Sequence, residues 1–194
     1  MTCIIGYTEN GVTWMGGDSL ASNGSNKFII DMKKVFKMHD SKNLILGFSG
    51  SVRDLNLLQY AENLIDKRDE PNINHKYIVT KFIPNLSRLL SNNGRNENDK
   101  GINGQDSYFL LAYKEHLWKV HFDYSVYNSN KPYEALGSGT FYALGSLKTT
   151  EDTDLSPTKK IHKALQAASE FSPGVAPPFY IINTDNDEVV EFKE

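Results

Sequence analysis

The order in which short apolar runs and helical stripes follow one another limits this chain to a layered fold. Cys3 to Tyr7 is an apolar run, Glu9-Asn10-Gly11 is a tight turn, and Val12 to Met15 is a second run. Asn-Gly between two such runs is the strongest short-range hairpin signal. Gly16-Gly17 lets the backbone bend sharply into Asp18, a polar loop covers residues 19–26, and residues 28–37 and 43–48 read as two more strands. Leu57, Leu58, Ala61, Leu64 and Ile65 then make one helical face that ends before Pro71. Ile78, Val79, Phe82, Ile83, Leu86 and Leu90 make another, with Pro84 inside it predicting a kink. Strands resume at Tyr108 to Tyr113 and Leu117 to Tyr124. Leu136-Gly137-Ser138-Gly139 opens a short helix through about Leu147, and a longer one runs from about Pro157 to Phe171. Phe179 to Ile182 and Val189 to Phe192 close the chain as strands. Strands, paired helices, strands, paired helices and strands predict two sheets sandwiched between helical layers.

A length of 194 residues fits one domain with a sizeable core, expected to span residues 1–194. Residues 91–105 are nearly free of apolar side chains and read as a mobile surface loop, because nothing there offsets the entropy of ordering. With 24 Asp plus Glu against 21 Lys plus Arg, the net charge of -3 gives no support for nucleic acid or an anionic membrane as partner. No apolar run approaches the roughly 20 residues that cross a bilayer, and no signal peptide is read at the N-terminus. The single cysteine, Cys3, excludes an internal disulfide framework and fits a reducing cytosol, so the expected location is cytoplasmic. The five histidines show no metal-ligand spacing, and no cofactor or metal is expected.

The chemistry rests on Thr2, Asp18 and Lys34, which fall at even spacing across the opening strands. Removal of Met1 gives Thr2 a free amine beside its hydroxyl, so one residue carries both a nucleophile and a base. Amide hydrolysis needs those two groups within hydrogen-bond reach, and donors aimed at the developing oxyanion. Threonine Oγ is a poor nucleophile at its own pKa, but an α-amine, with a reference pKa near 7.7–8.0, can accept its proton. A nearby lysine helps keep that amine neutral and lowers the cost of an alkoxide, and an aspartate orients the lysine. If Lys34 lies on a strand beside Thr2, side-chain alternation turns Lys33 to the opposite face. Each residue also has a bland reading: Asp18 caps the turn after Gly17, and Lys33-Lys34 is a solvated charge pair.

The same residues give the chain a resemblance to the proteasome β-subunit family of N-terminal nucleophile hydrolases, most of all its bacterial HslV-type branch. Thr-Cys-Ile-Ile-Gly at 2–6, the Asn-Gly-Val turn, Gly-Gly-Asp at 16–18 and Lys-Lys-Val at 33–35 follow that pattern. Gly47-Phe48-Ser49-Gly50 is similar to its Gly-Phe-Ala-Gly, with Asp54 as the acid that soon follows, and Gly137-Ser138-Gly139 with Tyr142-Ala143 is similar to its later Gly-Ser-Gly segment. The resemblance implies an α+β fold, the four-layer αββα sandwich. It implies Thr2 as nucleophile with its amine as base, Lys34 lowering the pKa of the catalytic group, and Asp18 orienting Lys34. It further implies the Gly50 N–H as oxyanion donor and Ser138 in the hydrogen-bond network around the amine. Gly50 also makes sense alone, since close approach of a substrate to backbone favours a residue without Cβ. Ser138 alone reads equally as a helix N-cap.

Implied too are threonine-type endopeptidase activity on peptide or unfolded-protein substrates, a homo-oligomeric ring, and an ATP-dependent unfoldase partner. One departure stands out. The proteasome branch has an aspartate and then a Ser-Gly pair late in the chain, where this sequence reads Ser169-Glu170-Phe171-Ser172-Pro173-Gly174, leaving Ser169 or Ser172 as stand-in. Two other functions fit the same residues: an amidohydrolase acting on a small amide, and a non-catalytic ring subunit in which retained Met1 turns the amine into an amide. Cys3 as an alternative terminal nucleophile requires loss of both Met1 and Thr2 and breaks the even spacing, so it reads as a small buried hydrophobe.

Overall fold

A computed structural model describes residues 1–22, 26–94 and 107–194 of the chain. The opening hairpin forms as its turn dictates: β1 (Cys3–Glu9) and β2 (Val12–Gly17) pair antiparallel across Asn10-Gly11, both of which have positive φ. After β3 (Leu20–Ser22), β4 (Lys27–Ile29), β5 (Val35–Lys37) and β6 (Leu44–Ser49) come the helices α1 (Val52–Gln59), α2 (His75–Tyr77) and α3 (Ile83–Asn92). Strands β7 (Tyr108–Tyr113), β8 (His116–Val120), β9 (Val126–Asn128) and β10 (Tyr133–Gly137) precede α4 (Thr140–Thr150), α5 (Pro157–Phe171), β11 (Phe179–Asn183) and β12 (Val190–Phe192). One sheet has the order β10-β1-β2-β11-β12 and the other β5-β6-β7-β8-β9, while β3 and β4 form a separate two-stranded ribbon.

The continuous apolar run of β1 has a direct cause: both of its faces are covered. Ile4 joins Met15, Ile45, Leu110 and Leu136 between the two sheets, whereas Cys3, Ile5 and Tyr7 pack with Ala143, Ile161, Leu165 and Ala168 of α4 and α5. That is the period of two expected of a strand, with apolar side chains required on each side. On the far side of the second sheet, Leu46, Phe48, Phe109 and Trp118 pack with Leu55, Phe82, Leu86 and Leu90 of α1 and the helical stretch through α3. The layers are therefore helix, sheet, sheet, helix, the αββα sandwich that the resemblance implies. The sheets meet closely at Gly47, where an added Cβ would lie 2.5 Å from both Ile4 Cγ2 and Met15 Sδ.

Several local expectations need correction. The predicted strand 28–37 is two short strands, β4 and β5, separated by residues 30–34, so Lys34 precedes a strand rather than lying in one. Part of the predicted polar loop 19–26 is β3, which pairs with β4. The first helix occupies residues 52–59 instead of 57–65; Ala61, Leu64 and Ile65 are buried all the same, but from an irregular segment in which Asn63 has φ 65°. The kink expected at Pro84 is a wide turn over Ile78–Phe82, in which Ile83 N–H bonds to Ile78 O, one residue beyond the α-helical partner. Widening the helix there accommodates a residue with no N–H and a bulky ring.

Strand β10 was not expected, because its Tyr-Glu-Ala-Leu-Gly sequence alternates weakly; its pairing with β1 supplies what the local pattern lacks. The second sheet also continues into an unexpected β9. Of the predicted loop 91–105, residues 91 and 92 are the last turn of α3, and residues 95–105 lie outside the described residues.

Glycine contacts give a test of the packing. Gly47→Val should destabilise the fold by overpacking, about 1–3 kcal/mol, seen as a Tm lower by roughly 3–10 °C. Gly145→Ala, in an exposed turn of α4 where an added Cβ meets nothing within 4 Å, should instead raise the Tm slightly in the same calorimetric comparison.

Candidate active site

Five polar positions collect at one end of the two sheets because antiparallel strands bring starts and ends together. Thr2 immediately precedes β1 and Lys34 precedes β5, while Asp18 follows β2, Gly50 follows β6 and Ser138 follows β10. Register does the fine placement: Cys3 pairs with Gly137 of β10, and Ile4 with Gly17 of β2, so Thr2 lies between Ser138 and Asp18. Gly137, at φ 95°, lets β10 close onto this point, for an added Cβ would sit 2.2 Å from Thr2 O.

Lys34 is the hub. Its ammonium, only 5% exposed as a residue, donates to Thr2 Oγ1 at 3.1 Å, to Asp18 Oδ1 at 2.9 Å and to Leu20 O at 2.6 Å. Those three acceptors match its three N–H donors. Asp18, also buried, holds more than the lysine: Oδ1 accepts the Cys3 N–H at 2.9 Å and Oδ2 accepts the Leu20 N–H at 3.0 Å. Asp18 thus bonds both the turn that follows Gly17 and the Lys34 ammonium.

Burial pulls the Lys34 pKa below the ordinary lysine value, with Asp18 working against that shift. Burial likewise pushes Asp18 above the usual carboxylate value, opposed by Lys34 and by its N–H donors. Lys33 is engaged elsewhere, with its Nζ 5.1 Å from the centre of the Tyr180 ring. Lys34 is thus the lysine that lies beside Thr2, and strand alternation does not place it there, because it sits in a bend.

Ser138 is not a helix cap; the residue capping α4 is Gly139. Its Oγ accepts the Thr2 N–H at 3.3 Å, donates to Thr2 O at 3.4 Å and accepts from Ser172 Oγ at 3.3 Å. Between the two late serines the geometry decides: Ser172 faces Ser138, and Ser169 donates away to Val175 O. Backbone acceptors such as Leu20 O leave no trace in side-chain sequence and were not anticipated.

Met1 is attached, so Thr2 N is an amide, and the Thr2 hydroxyl donates to Met1 O. A pocket opens beside Thr2 and Lys34, with Gly50 in its lining and an apolar wall that includes Ala21, Ile30, Phe48 and Val52. Cys3 is fully buried and its thiol is pushed upward by that burial, so it behaves as core. Among the described residues, no cluster of three or more His, Cys, Asp or Glu is placed to hold a metal ion. Among them, too, no helix is long and apolar enough to cross a membrane.

Residues 1–173 match the proteasome subunit family. The chain belongs to that family. Its sequence is 28% identical over 171 residues to the ATP-dependent protease subunit HslV of Aquifex aeolicus, covering 88% of this chain and 90% of that one. The HslV subunit of Petrotoga mobilis is also 28% identical, over 88% of this chain and 89% of its own. In fold, this proteasome-family subunit is similar to Thiobacillus denitrificans BPH in complex with epoxomicin, at TM-score 0.74 and 18% identity over 94% of this chain and 97% of that one. Eukaryotic HslV from Trypanosoma brucei superposes at TM-score 0.71, with 17% identity over 94% and 98% of the two chains.

The buried pair gives a pH-dependent test. A lysine pKa lower in the folded than in the unfolded state means the unfolded chain binds the proton more readily, so stability rises with pH between the two values. Asp18→Asn removes the carboxylate that opposes this depression. It should cost about 3–5 kcal/mol in urea unfolding at pH 7. The deficit should narrow as the pH rises toward the ordinary lysine range and Lys34 loses its proton. A deficit independent of pH means that Lys34 is already neutral in the folded protein.

Proposed function

We propose that this chain is a threonine-type endopeptidase, folded as one domain over residues 1–194, that works in a ring assembly after Met1 has been removed. The observation that carries the reading is the 3.1 Å bond from Lys34 Nζ to Thr2 Oγ1, with Asp18 fixing the lysine from behind. A buried ammonium on a hydroxyl stabilises the alkoxide character that an attacking threonine must develop. In this reading the freed Thr2 amine takes the hydroxyl proton, and Oγ1 attacks the carbonyl carbon of the scissile amide. The oxyanion is met by the Gly50 N–H. The amine then passes its proton to the leaving nitrogen, the C–N bond breaks, and an ester to Thr2 remains. Water, deprotonated by the same amine, attacks the ester and restores the hydroxyl.

Ser138 and Ser172 orient the amine in this scheme, and the apolar wall beside Thr2 receives an apolar substrate side chain. The HslV relatives are named as ATP-dependent protease subunits, which supports a partner ATPase that unfolds protein substrates, and with it a cytoplasmic location. While Met1 remains, the base is an amide nitrogen without proton affinity, so its removal is the step that turns the site on.

Intact-mass measurement before and after treatment with a peptide epoxyketone tests the assignment. The expected result is a mass short by one methionine, then a single covalent adduct that is absent in Thr2→Ala. Retained Met1 with no adduct assigns the chain to the non-catalytic subunits instead. In peptide hydrolysis, Lys34→Ala should lower kcat by about 100-fold or more, as expected for a lost proton-transfer or charge-stabilising partner, and Lys33→Ala should have little effect. The reverse ranking would sink the role given to Lys34.

A further inference from the structure

Behind Gly50 lies a buried polar pair that the chemistry at Thr2 does not touch. Ser107, which immediately precedes β7, is fully buried, and so nearly is Asp54 in the first turn of α1. Ser107 Oγ donates to Asp54 Oδ2 at 2.8 Å and accepts the Ser51 N–H at 3.3 Å. Ser51 is the N-cap of α1, yet its own side chain makes no capping bond. In a capping box, an acidic side chain at the third helical position reaches back directly to the N-cap N–H. Here Asp54 holds that position and reaches the N–H through the hydroxyl of Ser107.

The inserted hydroxyl also supports the neighbouring residue. Gly50 has φ 154°, and a Cβ added to it would lie 2.2 Å from Ser107 Oγ and 2.7 Å from Ser107 Cα. The inner side of the Gly50 turn therefore rests on Ser107. Its two flanks are held as well: Ser49 pairs with Tyr108 in the sheet, and the Ser51 N–H donates to Ser107 Oγ. One serine thus joins the end of β6, the start of β7 and the start of α1 at the peptide where the oxyanion forms.

We propose that Ser107 and Asp54 are positioning residues for the Gly50 N–H, holding the turn so that its donor points at the developing oxyanion. The inference rests on the reading of Thr2 as nucleophile and Gly50 as donor. A hydroxyl serves better here than an apolar side chain because it satisfies the N-cap N–H and the buried carboxylate at once; removing it leaves both without that partner. Small displacements of a preorganised donor reduce transition-state stabilisation without abolishing substrate binding.

Two probes separate positioning from simple structural support. A peptide boronate forms a tetrahedral adduct on Thr2 Oγ1 with an oxygen in the oxyanion position. A peptide vinyl sulfone is captured by the same oxygen through conjugate addition and places no oxyanion there. In the Met1-processed, assembled protein, Ser107→Ala should lower kcat and boronate affinity together by about 10- to 100-fold. KM and the vinyl sulfone labelling rate should stay within about threefold of wild type. Asp54→Asn keeps an oxygen that can accept from Ser107, and should show the same pattern at less than about tenfold; it carries the test if Ser107→Ala does not accumulate. Unchanged boronate affinity, or a parallel fall in vinyl sulfone labelling, overturns the positioning role. A wild-type protein that the vinyl sulfone does not label at Thr2 removes the nucleophile reading itself, a failure distinguishable from the other two.

Discussion

A lysine ammonium buried at the junction of the two sheets organises this molecule's functional end. Taking such a charge out of water costs several kcal/mol after relaxation, so it persists only where its donors are matched. Lys34 meets that requirement with a carboxylate, a backbone carbonyl and a hydroxyl. Each acceptor comes from a different stretch of chain: Asp18 after β2, Leu20 at the start of β3, and Thr2 before β1. The ion pair therefore closes the N-terminal hairpin onto the second sheet, and folding of this end and assembly of the site are one event. Asp18 reinforces the closure, since the same carboxylate also accepts the N–H groups of Cys3 and Leu20.

The sandwich supplies the precision that this arrangement needs. Thr2, Asp18, Gly50 and Ser138 all lie just outside strands whose register is set by burial on two faces. A one-residue slip of β1 would send Ile4 to the helices and Cys3 and Ile5 into the sheet interface, so the packing of β1 excludes it. The site residues gain rigidity from strands without occupying them, and Thr2 and Gly50 line the pocket.

What could be read from the sequence follows the same division. Thr2, Asp18 and Lys34 were legible because their chemical types and spacing are unusual together, and the opening hairpin because Asn10-Gly11 is a strong local signal. The long helix α5 was legible with Pro157 in its first turn. The helix α1 was misplaced because Leu64 and Ile65 continue an apolar pattern that is buried from irregular backbone, where tertiary contacts override the helical period. Strand β10 was missed because its stability comes from pairing with β1, a partner more than 120 residues away in sequence. The contact between Ser107 and Gly50 is non-local in the same way, and neither residue carries a local signal of it.

The late serines change the electrostatic character of the site. Ser138 is engaged by Thr2 and by Ser172, two neutral partners, where the proteasome branch has an aspartate in the corresponding stretch. A carboxylate close to the amine would raise its proton affinity and oppose the lysine. Hydroxyls can accept or donate as the amine changes state, so they follow proton transfer without adding a fixed charge. In the proposed mechanism the burden of tuning the freed amine falls on Lys34, which is paired with Asp18. Neutral serines lie on one side of the freed Thr2 amine in that mechanism and the Lys34–Asp18 ion pair on the other, so that pair supplies the charge that would set its proton affinity.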